Sequence, residues 1–161
     1  MFSNLDPDSK VWIFQSIIEL NSKEEDFIKK ELDFFLFEWK SHGNELRADY
    51  ILFKSHFIII SVDKFFFEAS GCSLDKLFKK IKDLGLYLDK DFFQRDCIFF
   101  ELLDKKIQSL KIREFKDSLS RDIIKPALVY DNSICILRDF NKEWKKSSKE
   151  WKNKYTIKKR A

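Results

Sequence analysis

Apolar residues change their spacing repeatedly along the chain, and each change marks an element. In KVWIFQSII (10–18) Val11, Ile13 and Gln15 alternate with Trp12, Phe14 and Ser16, among β-branched and aromatic types, which predicts a strand. The period then lengthens. In NSKEEDFIKKELDFFLFEWKSHG, Phe27, Ile28, Leu32, Phe35 and Trp39 recur at helical spacing. Ser22 with Glu25 three residues later forms a capping-box signature, and Gly43 suits a position just past the helix end. ELRADYILFKS and HFIIISVD predict a hairpin turning at Lys54, Ser55 and His56. Phe57–Val62 is apolar almost throughout, as a central strand covered on both faces would be. A second helix is expected from Ser73 to Gly85, with Leu74, Leu77, Phe78, Ile81 and Leu84 as its apolar stripe and Lys76, Lys79, Lys80 and Lys82 on its wet side.

Beyond residue 95 the pattern is shorter-ranged. CIFFELL and KKIQSLKI predict another hairpin, REFKDSLSRD a short helix, and ALVYDNSICIL two strand halves around the turn Asp131-Asn132-Ser133. NKEWKKS (141–147) and SKEWKNK (148–154) repeat at a seven-residue step, which puts Phe140, Trp144, Trp151 and Tyr155 on one face of a continued helix. Hairpins and helices without regular βαβ alternation give an α+β class: a mainly antiparallel sheet, two principal helices and a C-terminal basic aromatic segment. No linker or second core is visible, so residues 1–161 read as a single domain, with 138–161 a basic tail partly packed and partly flexible.

Composition sharpens this picture in two places. With 44% hydrophobic and 36% charged residues the chain is a folding one, and 3 Gly and 2 Pro leave few tight turns. The net charge of +4 conceals an asymmetry: from Arg138 onward stand 10 basic and 3 acidic residues, so a mildly acidic body carries a strongly basic tail. The longest apolar stretch, HFIIISVDKFFFEAS, is interrupted by Asp63 and Lys64, so no membrane span is expected. MFSNLDPDSK lacks the features of a signal peptide. Three cysteines at wide, unpatterned spacing argue for reduced thiols and a cytoplasmic location.

VWIFQS, the W-x-x-H-G of Trp39–Gly43, FIIISVD and ASGCSLD follow one another in an order that resembles a family of short bacterial proteins of about this length, labelled "ABC transporter ATPase". The resemblance covers the chain up to about residue 100 and, more loosely, the tryptophan-containing tail. It departs where Lys64, not an acid, follows Asp63. The family's label has a physical requirement: a phosphate-cradling loop G-x-x-x-x-G-K-[ST]. The only glycines are Gly43, Gly71 and Gly85, and none lies in that pattern, which excludes ATP hydrolysis through such a loop.

The SGCS block suggests a site of another kind. Free amides and the positive dipole end of a helix start favour an anion and lower the pKa of a thiol, so Cys72 is a candidate nucleophile. The bases available are His42 and His56; His42, beside Trp39, is the candidate partner, Asp63 the group to orient an imidazole, and Arg95 a carboxylate or phosphate binder. Trp39, Ser70, Gly71 and Ser73 would complete a pocket for a phosphate, carboxylate or nucleotide. The plainer reading is that Ser73 caps the helix, Cys72 is buried packing, His42 caps the end of the first helix and His56 is an exposed turn residue. No C-x-x-C or H-x-x-x-H pair points to a metal, and no cofactor is expected. In the tail, Trp144, Lys145, Lys146, Trp151 and Lys152 are candidates for RNA contact, the lysines on phosphates and the rings on bases; a basic amphipathic helix also suits an anionic membrane, and packing of the two tryptophans on the domain is the alternative to both. Three functions follow as expectations: an anionic-ligand binder, a Cys/His enzyme, and an RNA- or ribosome-associated protein.

Overall fold

The computed structural model describes residues 2, 4–41, 44, 45, 47–64 and 71–157, and of residues 40, 41, 44, 45, 71, 72, 156 and 157 the backbone alone. The fold is α+β with antiparallel sheets. Where one core was expected there are two compact units, residues 1–94 with 135–141, and residues 95–134 with 142–161, containing separate hydrophobic clusters.

In the first unit strands β1 (Lys10–Gln15), β4 (Ala48–Phe53) and β5 (Phe57–Val62) form a sheet of order β1-β5-β4, while β2 (Lys40–Ser41) and β3 (Asn44–Glu45) pair separately. β5 is central and buried at every position, as its unbroken apolar run demands. Ile58, Ile60 and Val62 pack with Ile28 and Leu32 of helix α1 (Ser22–Glu38) and Leu77, Ile81 and Leu84 of helix α2 (Gly71–Leu88). The β4–β5 turn lacks an Asn-Gly pair; Lys54 (φ 48°) and Ser55 (φ 55°) themselves take left-handed conformations, and His56 N–H donates to Phe53 O at 3.2 Å. His56 is not the exposed turn residue expected. It is 8% exposed, with Nδ1 2.9 Å from Ser16 O, because the chain after β1 folds over the hairpin end.

Helix termini depart from expectation by short steps with clear causes. The capping box of α1 uses Asn21 and Glu24, not Ser22 and Glu25: Asn21 Oδ1 accepts from the Lys23 and Glu24 amides, and Glu24 accepts from Asn21 N–H at 2.8 Å. Glu24 also receives Lys90 Nζ at 2.6 Å, an engagement Glu25 has no counterpart for. α1 ends at Glu38 with Trp39 as its cap, and Gly43 lies outside the described residues. α2 begins at Gly71, so Ser73 is a buried residue of its first turn and not its cap. It runs through Gly85 to Leu88, where Asp89 takes the left-handed conformation (φ 53°) and Lys90 N–H returns to Gly85 O at 2.9 Å.

Ile134–Leu137 is not a second strand half. Ile136 makes an isolated bridge to Lys10, and helix α4 (Leu137–Glu143) follows, its Leu137 and Arg138 amides donating to Ser9 O and Pro7 O. In the second unit β6 (Cys97–Glu101), β7 (Ile107–Lys111), β8 (Leu128–Tyr130) and β9 (Lys145–Lys146) form an antiparallel sheet of order β7-β6-β8-β9. Helices α3 (Ile112–Ser120) and α5 (Ser148–Ile157) supply Phe115, Leu119 and Trp151 to a cluster with Ile98, Phe100 and Val129. The tail is therefore no continuous helix: Lys146 pairs with Val129 and Lys145 with Tyr130, and this strand separates the two tryptophan repeats.

A Cβ added at Gly85 would lie 2.5 Å from Lys90 O, a backbone atom with little room to move. Gly85→Ala is expected to lower stability by about 1–3 kcal/mol, although Ala in a helix interior gains about 1 kcal/mol over Gly. Urea denaturation checks the sign; a more stable variant would show that the returning loop is not tightly held.

Candidate functional site

The residues expected to form a pocket at the SGCS block are placed unevenly. Trp39 and Ser73 do meet: the indole Nε1–H of Trp39 donates to Ser73 O at 3.1 Å, with both residues buried. This joins the end of α1 to the first turn of α2 as packing, with the indole's polar atom already engaged. Gly71 and Cys72 stand in that first turn by their backbone. His42, Ser70 and the Cys72 side chain lie outside the described residues, and with them the Cys–His pairing. Asp63 is buried past the end of β5, its N–H donating to Arg47 O at 2.8 Å; Arg95 is an exposed residue of the second unit.

A cleft of about 500 Å³ runs along α2, lined by Ile81, Leu86, Phe92 and Phe93. Its charged lining residues are Lys82, Asp89, Lys90 and Asp91; Lys90 is engaged by Glu24, and Asp91 by the Phe93 amide and the Gln94 side chain. Among the described residues no three His, Cys, Asp or Glu side chains gather to hold a metal, and no helix is long and apolar enough to cross a membrane.

The densest constellation is in the second unit, at the turn read from sequence only as a turn. Asp131 ends β8 and is 1% exposed. Its carboxylate accepts from Lys154 Nζ at 2.5 Å and from Ser133 Oγ at 2.6 Å, with Lys146 Nζ at 3.9 Å and the Ser133 amide at 3.3 Å. Its N–H donates to Trp144 O at 2.8 Å, and Trp144 Nε1–H to the Asn132 side chain at 2.8 Å. Burial alone would raise the Asp131 carboxyl; hydrogen bonds from Lys154 and Ser133, with the charge of Lys154, outweigh it and hold the group below the usual carboxylate range. Burial would likewise depress Lys154, and Asp131 holds it above the usual lysine value. Both carboxylate oxygens are engaged by groups of the same chain, and the arrangement fastens the tail.

That fastening fixes the fate of the tail candidates. Trp144 and Trp151 are 2% exposed each, so neither is available to stack on bases: Trp144 packs on Tyr130 (ring centroids 4.9 Å apart), and Trp151 on Phe115 (5.0 Å) and Tyr155 (4.3 Å). Lys146 is buried between Glu143 (2.9 Å) and Asp131. Lys145 and Lys152 stay exposed, Lys145 5.6 Å from the Trp144 ring and Lys152 donating to Leu119 O at 3.2 Å. Lys116 Nζ lies 5.4 Å from the Tyr155 ring centroid. Contacts of Phe115 with Trp151, Lys116 with Tyr155 and Leu119 with Lys152 bring α3 and α5 side by side. Arg113, Lys116, Lys149 and Lys152 are exposed on these two helices. Arg113 and Lys116 escaped the sequence reading; their three-residue spacing in REFKDS was the available signal. The chain matches no family model, no curated protein and no solved structure.

Asp131→Asn is expected to cost about 2–3 kcal/mol near neutral pH, less than a fully buried pair because Lys154 is partly solvated. Asp131 titrates lower in the folded state than in the unfolded one. Its contribution is therefore complete above the unfolded carboxylate pKa and fades as pH falls through the folded value. Urea denaturation of both proteins should show the gap narrowing once the pH falls below the ordinary carboxylate range; a gap independent of pH would place the effect elsewhere.

Proposed function

We propose that the protein binds RNA in the cytoplasm, through phosphate contacts made by the exposed surface of α3 and α5. The observation that carries this reading is the division of charge. The second unit holds 17 basic and 9 acidic residues, a net +8, against 14 basic and 18 acidic in the first, a net −4. The acids of the basic unit are largely engaged within it. Asp96 pairs with Lys111, Asp117 with Arg121, Asp122 with Lys125 and Glu143 with Lys146; Glu101 accepts from Tyr130, Glu150 caps α5 through Ser147, and Asp131 is buried. Arg113, Lys142 and Lys149 are exposed and make no ion pair among the described residues. A surface whose anions are internally satisfied while cations face water attracts a polyanion.

Membrane binding through the tail is less well supported. A helix lying on an anionic bilayer turns its apolar face to the lipid, and the Trp151–Tyr155 face of α5 is taken by Phe115 and its neighbours.

The test is fluorescence anisotropy of the full chain with a labelled structured RNA across a salt series. Four phosphate contacts predict a slope of log K on log salt of about −3. Arg113→Glu with Lys149→Glu should weaken binding by at least about tenfold and flatten the slope, with an unchanged far-UV spectrum and melting temperature as the control for folding. Binding that is indifferent to salt and to the charge reversals would remove this reading.

A further inference from the structure

Building on RNA binding at this surface, we infer that the RNA form recognised is double-helical and not single-stranded. Single strands are held chiefly by stacking of successive bases on exposed aromatic rings, an effect of roughly tenfold per base. The second unit offers no such platform. Of its rings, Phe99, Phe100, Phe115, Tyr130, Trp144 and Trp151 are buried, and the remaining one, Tyr155, is half-buried with the Lys116 ammonium over it. The sheet is no substitute: β6 is buried at all five positions, and the exposed residues of β7 are Gln108 and Lys111, which carry no ring.

Outward on the two helices stand the cations Arg113, Lys116, Lys152 and Lys149, beside three exposed acids, Glu114, Asp117 and Glu150, of which Asp117 pairs with Arg121 and Glu150 with Ser147. Two of these cations are held in place. Lys116 is drawn to the Tyr155 ring, and Lys152 is tied to the last turn of α3, which lowers the conformational cost of presenting their charge. Such a surface reads charge density and backbone shape alone. A duplex carries about one phosphate per 1.7 Å of axis, twice the density of one strand. An A-form duplex also presents a wide, shallow minor groove bordered by phosphates and 2′-hydroxyls, which proteins contact by shape without reaching base edges. Rings that pack the core and cations exposed on the helices thus select the form in which bases are already stacked on one another.

The experiment compares the full chain, at one salt concentration, with an RNA duplex of about 20 base pairs and an oligouridine of about 20 nucleotides that forms no pairs. The duplex should bind about tenfold more tightly or better, and Arg113→Glu with Lys149→Glu should weaken both. A smaller ratio, or tighter binding of oligouridine, overturns the duplex preference and leaves RNA binding standing. Failure to bind either RNA overturns RNA binding itself.

Discussion

The carboxylate of Asp131 is the point on which the second unit depends. It accepts from the turn that follows it, through Ser133, and from the last helix, through Lys154, while Lys146 of β9 stands 3.9 Å away. The turn after β8, the strand β9 and the helix α5 are fastened at one buried charge. Aromatic packing supplies the bulk of the burial, with Phe115, Trp151 and Tyr155 in mutual contact. That packing is not ideal by itself, because the buried Trp151 indole N–H has no hydrogen-bond partner among the described residues, a cost that apolar contact must offset. An ion pair of this kind contributes direction more than net energy: it specifies which end of α5 meets β8, and so the order in which cations appear on the surface outside.

The same constraint accounts for the electrostatics. A buried acid must be paired, and in this unit other acids too are committed to structure, capping α5, closing turns or pairing along helices. Because lysine and arginine carry their charge on long stems, the unit's excess of them stays at the surface. The outcome is a small module with most of its anions engaged internally and an excess of cations displayed, in a chain whose overall charge of +4 conceals the division.

How far this was legible in the sequence varies by element. β5 was readable because an unbroken apolar run has few other homes, and the β6–β7 hairpin and α3 because their periods are clean. The ends of α1 and α2 were off because local signals overlap: Asn21-Ser22 and Glu24-Glu25 offer two capping boxes, and the tie of Glu24 to Lys90, 66 residues away, has no local trace. Gly85 resembled a helix stop when its role is to let the loop carbonyl of Lys90 approach. The tail misled most. Its tryptophan repeat suggests one helical face, but pairing of Lys145 and Lys146 with β8 interrupts it, and propensity does not anticipate a two-residue edge strand. Basic character in the C-terminal segment was plain. That its tryptophans face inward, and that Lys116 of α3 stands over Tyr155 of α5, depended on tertiary contacts.

The central claim is that the α3–α5 surface is where the chain meets RNA. Backbone amide chemical shifts followed during titration with an RNA hairpin address it directly. Shifts and broadening should concentrate in residues 113–120 and 148–155, with residues 71–88 of α2 unaffected. Perturbation centred on the first turn of α2 around Cys72, with α3 and α5 silent, would contradict it.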